Sequence, residues 1–348
     1  MKAADLTGRR PDWLTGTGPE NDVIVSSRVR LARNVAGMPF LTRCSPQQLR
    51  ELAASLRKTL VEAKLPGVQY IDVERAGEAD RQLLVERHLI SRQQAEAKGP
   101  RGVAVAAGET LAVMVNEEDH VRLQADVVQL DACYQHARRV DDLLEGRLDF
   151  AFSSRFGYLT ACPTNVGTGL RVSVMAHLPG LKITGEIEKV LRAARDMHLA
   201  VRGLYGEGTE AIGDMFQISN QSTLGKSEEQ IITEFRDTAV PGIIDYERHS
   251  RRQLLKTRRL AVEDKVHRAR AILGAARLIS SEETMYLLSH LLLGLSLGLV
   301  EKLDLASLYE LMLVTQPAHL QRMLGGEMTP VERGEARARL IRQRLGMD

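Results

Sequence analysis

The residues of this sequence best suited to chemistry are five arginines in strand-like or glycine-flanked settings. They are Arg28 and Arg30 in SSRVR, Arg122 just after NEEDH, Arg171 in GTGLRVSV and Arg202 in RGLYGEG. A guanidinium is a planar, permanently charged fork that grips phosphate or carboxylate through two parallel hydrogen bonds. Arg28 and Arg30 are two apart, so on a strand both leave the same face and could clamp one polyphosphate. Any one of these arginines alone is as well explained by a surface carboxylate partner, whereas five together favour the polyphosphate. Carboxylates form a second group. Glu117, Glu118 and Asp119 follow the apolar run LAVMV, where Glu117 and Asp119 suit the start of a helix. Glu207 stands in the glycine-flanked YGEGTE loop, whose backbone freedom lets a side chain reach into a site. Cys162, in GYLTACPTNVGTG, lies between a strand and a Pro/Gly-rich loop. Nearby arginines or amides there would favour its thiolate, against the commoner case of a buried inert thiol.

Elements able to position these residues can be read from periodicity. Short β-branched runs, DVIVSSRVRLA, VAVAAGETLAVMVN, FGYLTACP and LRVSVMAHL, alternate with helical stretches between 21 and about 242. A short Ala-Gly-Glu turn between 103–107 and 111–115 demands a hairpin, so the expectation is an α+β domain with an antiparallel sheet. Helices are expected at 46–63, 120–144, 184–200 and 227–237, with Ser45-Pro46 and Ser227-Glu228-Glu229 as helix starts. After about 245 only helical spacing remains. The expected division is therefore an extension at 1–20, a catalytic domain at 21–245 and an all-helical domain at 246–348. The basic junction RHSRRQLLKTRR reads as a solvated helix face in preference to a nucleic-acid patch.

Composition sets outer limits. The 348 residues, 44% hydrophobic and 26% charged, suit a folded protein of about two domains and exclude wholesale disorder. A net charge of +2 gives no case for nucleic-acid binding or an anionic membrane surface. The basic residues are 37 Arg against 10 Lys, a bias that suits phosphate chemistry but that GC-rich coding also produces. Three cysteines are too few for a disulfide framework, and no zinc-ligand spacing is present, so no protein-held metal is expected and a reducing cytoplasm is. The N-terminus has no apolar core for a signal peptide, and the most apolar run, LLSHLLLGLSLGLV at 287–300, is too short to span a bilayer. It reads as a buried or interface helix. Gly225-Lys226-Ser227 resembles the end of a P-loop, but Asn220 stands where the first glycine would be required. No kinase-type G-x-G-x-x-G loop with H-R-D and D-F-G is present either.

Taken in order, SSRVRLARN (26–34), NEEDH (116–120), GYLTACPTNVGTGLRVSV (157–174) and RGLYGEG (202–208) resemble the guanidino-kinase superfamily, which phosphorylates a guanidinium nitrogen from MgATP. Small-molecule phosphagen kinases carry a helical domain before the first motif and end with the catalytic domain. Here 25 residues precede Ser26 and about a hundred helical residues follow the catalytic part, a layout that resembles the bacterial protein-arginine kinase branch.

The resemblance implies roles. Glu118 would be the catalytic base, Glu207 the second carboxylate on the guanidinium, and Cys162 a thiolate that orients and polarises it. ATP, with its Mg²⁺, would be bound by Ser26, Ser27, Arg28, Val29, Arg30, His88, Arg122, Arg171, Val172, Ser173, Val174, Met175, Arg202, Gly203, Leu204, Tyr205, Gly206 and Glu207. The branch also has an Arg-Asp-x-x-Arg-Ala element that binds phosphoarginine allosterically. Here Arg333, Arg337 and Ala338 match it, but Gly334 replaces the aspartate, and whether the adjacent Glu335 serves the guanidinium half in its place stays open. Implied partners are protein substrates with exposed arginines, a zinc-binding activator protein, a Clp-type ATPase and protease, a heat-shock repressor and a second copy of the chain. Two other readings stay open: a kinase of free arginine, and a phosphoarginine-binding adaptor with a silent kinase site.

Overall fold

The computed structural model describes residues 3–203 and 211–346. They fall into two compact units. One comprises the chain up to Trp13, Ser26–Ser173 and Ser219–Thr238; the other comprises Leu14–Val25, Val174–Ile218 and the chain from Ala239 onward.

The first unit is built on strands β1 (Ile24–Arg33), β2 (Gln69–Asp72), β3 (Gly102–Val105), β4 (Leu111–Val115) and β5 (Val121–Val127), in the order β2-β3-β4-β5-β1. Every pairing in that series is antiparallel. The anticipated hairpin is β3–β4, closed by a 3₁₀ turn at Ala107–Glu109 in which Gly108 takes φ 68°. A Cβ on Gly108 would lie 2.2 Å from an Asp12 carboxylate oxygen, so the N-terminal segment is packed hard on this turn. Register decides which side chains share a face. Arg28 lies opposite Asp126, Arg30 opposite Gln124 and Ala32 opposite Arg122, so polar residues line one face at the β1–β5 pair. The alternate residues Val29, Leu31, Leu123 and Ala125 are all fully buried. Strands β6 (Phe152–Ser153) and β7 (Gly157–Tyr158) form a small separate hairpin.

Helix Pro46–Glu62 starts where expected. Ser45 and Gln48 form a reciprocal capping box, and Leu52, Leu56 and Leu60 are buried along one stripe. The helix expected at 120–144 is a correction. Residues 121–127 are strand β5, and the helix runs only over Leu130–Glu145. V-R-L-Q-A-D-V alternates with period two, and the preceding acids form the β4–β5 turn in place of a helix start. The helix does bury its Cys133, Tyr134, Ala137, Val140 and Leu144 stripe and packs against β5.

In the second unit the strand order is β8 (Leu170–His177), β10 (Met215–Asn220), β9 (Leu199–Gly203), the chain entering within β8 and leaving within β10. The helix expected at 184–200 is shorter, Ile187–Asp196, because the chain turns at His198 (φ 55°) into β9. Helix Glu228–Glu234 of the first unit has the expected Ser227 cap. From Val240–Thr257 onward the described chain is helical, and Ser281–Ser296 buries Leu287, Leu288, Leu291, Leu292 and Leu293. No helix among the described residues is long and apolar enough to cross a membrane.

The basic junction is a solvated face at Arg252, Lys256, Arg258 and Arg259, with Arg251 as the exception. Arg251 is buried, its Nε 2.6 Å from Glu247 Oε1, while Nη1 donates to Asp22 O and Ser296 Oγ and Nη2 to His177 O. Glu247 in turn accepts the backbone N–H groups of Gly180 and Leu181, closing the start of helix Pro179–Thr184. Arg248 pairs with Glu20 and Asp22, while Arg252 is exposed. Arg251→Ala should therefore cost about 3–5 kcal/mol by stranding a buried carboxylate, while Arg252→Ala should stay within about 0.5 kcal/mol. Urea unfolding of the two variants measures the contrast.

Candidate active site

The polar face of β1–β5 collects a set of cations. Arg28 Nε lies 2.7 Å from Asp126 Oδ1, and Gln124 Nε2 bridges Asp126 Oδ2 to the His88 carbonyl, each at 2.7 Å. Arg30, half-buried two residues on, has no ion-pair partner among the described residues. Burial depresses its pKa, and the positive fields of Arg122, Arg171 and Arg28 depress it further, against a smaller opposing effect from Glu117. A guanidinium does not surrender its proton, so the way to relieve this repulsion is an anion. Polyphosphate fits the donor set: several fixed forks on adjacent strands lie within one another's electrostatic field.

The acidic turn stands beside this array. Asn116 (φ 55°) and the Glu117 N–H to Asp119 O bond tighten the β4–β5 connection. Arg122 Nη1 is 2.6 Å from Glu117 Oε2 and its Nη2 2.8 Å from Glu118 Oε2. Glu117 is buried and also accepts the Ser91 hydroxyl, whereas the Glu118 side chain keeps 34% of its surface exposed. Of the two, Glu118 can meet a substrate. Asp119 does something else: its buried Oδ1 accepts Asn34 Nδ2 at 2.6 Å and the Ala161 N–H at 2.7 Å. That bond joins the residue after Glu118 to the residue before Cys162.

The loop carrying Cys162 is clamped from several directions. Cys162 is half-buried, with Sγ 3.0 Å from Thr164 Oγ1. The Thr223 hydroxyl lies 2.9 Å from Thr164 O and 2.7 Å from Val166 O, and Thr223 O accepts the Thr168 N–H. Gly167 (φ 115°) lies so close that a Cβ would stand 2.1 Å from Thr223 O. Buried Arg33 holds Asp141 through Nη2 at 2.6 Å, donates to Thr168 O and lies 3.6 Å over the Tyr158 ring. Cys133, by contrast, is fully buried, and burial raises its pKa.

The remaining anticipated residues are distributed as follows. Ser26, Ser27, Val29, Val172 and Ser173 are buried in β1 and β8 within the first unit, flanking the arginines. Val174 and Met175 on β8, and Arg202 and Gly203 on β9, belong to the second unit. Leu204, Tyr205, Gly206 and Glu207 lie outside the described residues. On helix Pro330–Leu345, Arg333 Nη1 donates to Met328 O, and buried Arg337 donates to Thr315 O and Ile279 O. Among the described residues no cluster of three His, Cys, Asp or Glu side chains could hold a metal ion. Asn34, Arg33 and Thr223 went unnoticed in the sequence and Asp119 was read only as part of a helix start, because each acts through partners 42 to 135 residues away.

Comparison with known proteins fits this geometry. The profile for the ATP:guanido phosphotransferase C-terminal catalytic domain matches residues 50–250, and that for the protein-arginine kinase McsB C-terminal domain matches 259–348. Among solved structures, a taurocyamine kinase from Schistosoma mansoni with bound transition-state analogue components aligns over 70% of this chain and 35% of its own, with TM-score 0.61 and 29% identity. A lombricine kinase aligns over 71% of this chain and 72% of its own, at TM-score 0.57 and 26% identity. Fold and site thus define an ATP-dependent guanidino phosphotransferase. The protein-arginine kinase of Halothermothrix orenii is 46% identical over the full length of both chains, and that of Symbiobacterium thermophilum 49% identical over 96% of each. The Bacillus subtilis protein-arginine kinase is 42% identical, covering 97% of this chain and 93% of its own. The chain belongs to the protein-arginine kinase family.

Several histidines here are held neutral. Burial lowers the His88 pKa to about 3 with help from Arg28, and burial likewise lowers His120, His177 and His290. Below about pH 6.5 the unfolded chain takes up protons that the folded chain refuses. These groups therefore stabilise the fold fully above that pH, and the contribution drains away as pH falls toward their folded values. The urea midpoint should drop between pH 7.5 and pH 5, and His88→Asn, which tolerates the positive φ, should remove part of the drop.

Proposed function

We propose that the chain transfers the γ-phosphate of ATP to the guanidinium of arginine side chains in proteins. The observation that carries this reading is the cationic array of Arg28, Arg30, Arg122 and Arg171 standing beside an acidic turn whose Glu118 is the accessible carboxylate. The arginines would hold the phosphates and spread the charge of a loose transition state. A guanidinium nitrogen is a poor nucleophile until it loses a proton. Glu118 would accept that proton as the N–P bond forms and the bond from the γ-phosphorus to the β–γ bridging oxygen breaks, with ADP leaving. Arg122, bonded to Glu118 at 2.8 Å, orients the base. Cys162 would polarise the guanidinium, and Glu207 would supply the second carboxylate. Mg²⁺ would arrive with the nucleotide and neutralise its phosphate charge.

Protein-arginine kinase is the name carried by relatives matching 95–100% of this chain, which favours protein-borne arginine over a free guanidino compound. The catalytic part would span 21–245, and the helical part, 246–348, would serve dimerisation and regulation. Arg333 and Arg337 would take the phosphate of phosphoarginine as an allosteric ligand. A cytoplasmic role follows, in which phosphoarginine marks proteins for a Clp-type ATPase and inactivates a heat-shock repressor, under a zinc-binding activator.

With MgATP and an unfolded arginine-bearing protein, the product should be acid-labile phosphoarginine, located by mass spectrometry. Glu118→Gln should lower its formation by about 10²-fold or more while nucleotide affinity changes little. Phosphate only on Ser, Thr or Tyr, or rapid turnover of free L-arginine without a protein product, would overturn the proposal.

A further inference from the structure

His88 is presented in an unusual way. It follows helix Glu78–Glu86 with φ 59°, a left-handed conformation that costs energy in a residue with a Cβ and persists only where the surroundings impose it. Three contacts impose it here. Gln124 Nε2 donates to the His88 carbonyl at 2.7 Å. The preceding residue, Arg87, is fully buried, grips Glu109 with Nε at 3.0 and 2.9 Å from the two carboxylate oxygens, and donates Nη2 to Arg9 O at 2.7 Å. That last bond ties the N-terminal segment down, and four residues later the segment places Trp13 against the imidazole, ring centroids 5.5 Å apart at 67°. Trp13 is 6% exposed and is the chain's single tryptophan, while His88 stays half-buried.

The sequence reading set 1–20 aside as an extension, yet the part up to Trp13 belongs to the same unit as the arginine array. The imidazole also lies within the field of Arg28. A phosphate-binding cation thus has beside it a neutral aromatic ring whose plane is fixed by a second, buried ring. That pairing has the form of a nucleotide: charge at one end, a flat π-surface at the other. We infer that Trp13 is a positioning residue for ATP, holding the His88 ring as the surface on which the nucleobase stacks, so that the N-terminal segment sets base affinity and purine preference. This inference rests on the proposed nucleotide site and deepens it.

Tryptophan emission of the full-length protein, titrated with MgATP, should change saturably with a midpoint near the KM for ATP. Trp13→Leu should raise that KM about 5- to 10-fold and narrow the preference for ATP over the smaller-ringed CTP, leaving kcat and the KM for the protein acceptor within about twofold. Trp13→Phe should restore most of the affinity. Should Trp13→Leu fail to fold, His88→Asn, which keeps the backbone conformation, should give the same KM shift. Emission unmoved by saturating ATP, with unchanged KM in both the Trp13 and His88 variants, would overturn the inference. Arg30→Ala separates the two levels: if it loses ATP while those variants do not, only the role of Trp13 falls. If Arg30→Ala also binds ATP normally, the nucleotide site itself is wrongly placed.

Discussion

Like charges gathered on rigid strands are the constraint around which the first unit is arranged. Arg30 stands among Arg28, Arg122 and Arg171, and none of these groups can shed its proton to relieve the others. Carboxylates pair with Arg28 through Asp126 and with Arg122 through Glu117 and Glu118, while Arg30 stays under the repulsion of its neighbours. That repulsion is what a bound anion relieves. Because the cations sit on strands fixed by ladder hydrogen bonds, their spacing is set before any ligand arrives, which is the condition for strong electrostatic stabilisation of a transferring phosphoryl group.

The surrounding structure can be understood as support for that face. Asp119 belongs to the same tight turn as Glu118, and by accepting the Ala161 N–H it fixes how far the acidic turn stands from the cysteine loop. Thr223, Gly167 and Arg33 then hold that loop from its other end. A shift in any one of these contacts would move Glu118 or Cys162, the groups proposed to react, by a fraction of an ångström without touching substrate. Reaction geometry is sensitive to displacements on that scale.

Much of this was legible in the sequence. Strict two-residue spacing placed Arg28 and Arg30 on one face, a Gly-containing turn announced the β3–β4 hairpin, and Ser-Pro at 45–46 announced a capped helix. Strand β5 was missed although Val121–Val127 alternates apolar and polar residues, because the acids Glu117–Asp119 before it look like a helix start and are instead the β4–β5 turn. Within the junction at 248–259 only Arg251 departs from the solvated face, and the sequence does not single it out: a buried arginine and an exposed one look identical until carbonyls from Asp22 and His177 are found around the first. Long-range hydrogen bonds of this kind, Asn34 to Asp119 and Arg33 to Thr168 among them, leave no periodic trace.

A scaffold whose charges repel one another has a thermodynamic side effect. A bound polyanion relieves the repulsion at Arg30, so adenine nucleotides should act as folding ligands as well as reactants, with a stabilisation that grows as the logarithm of their concentration over their dissociation constant. Starvation that drains those pools would then slow catalysis and loosen the catalyst together, coupling the enzyme's lifetime to cellular energy supply through nothing more than Coulomb's law.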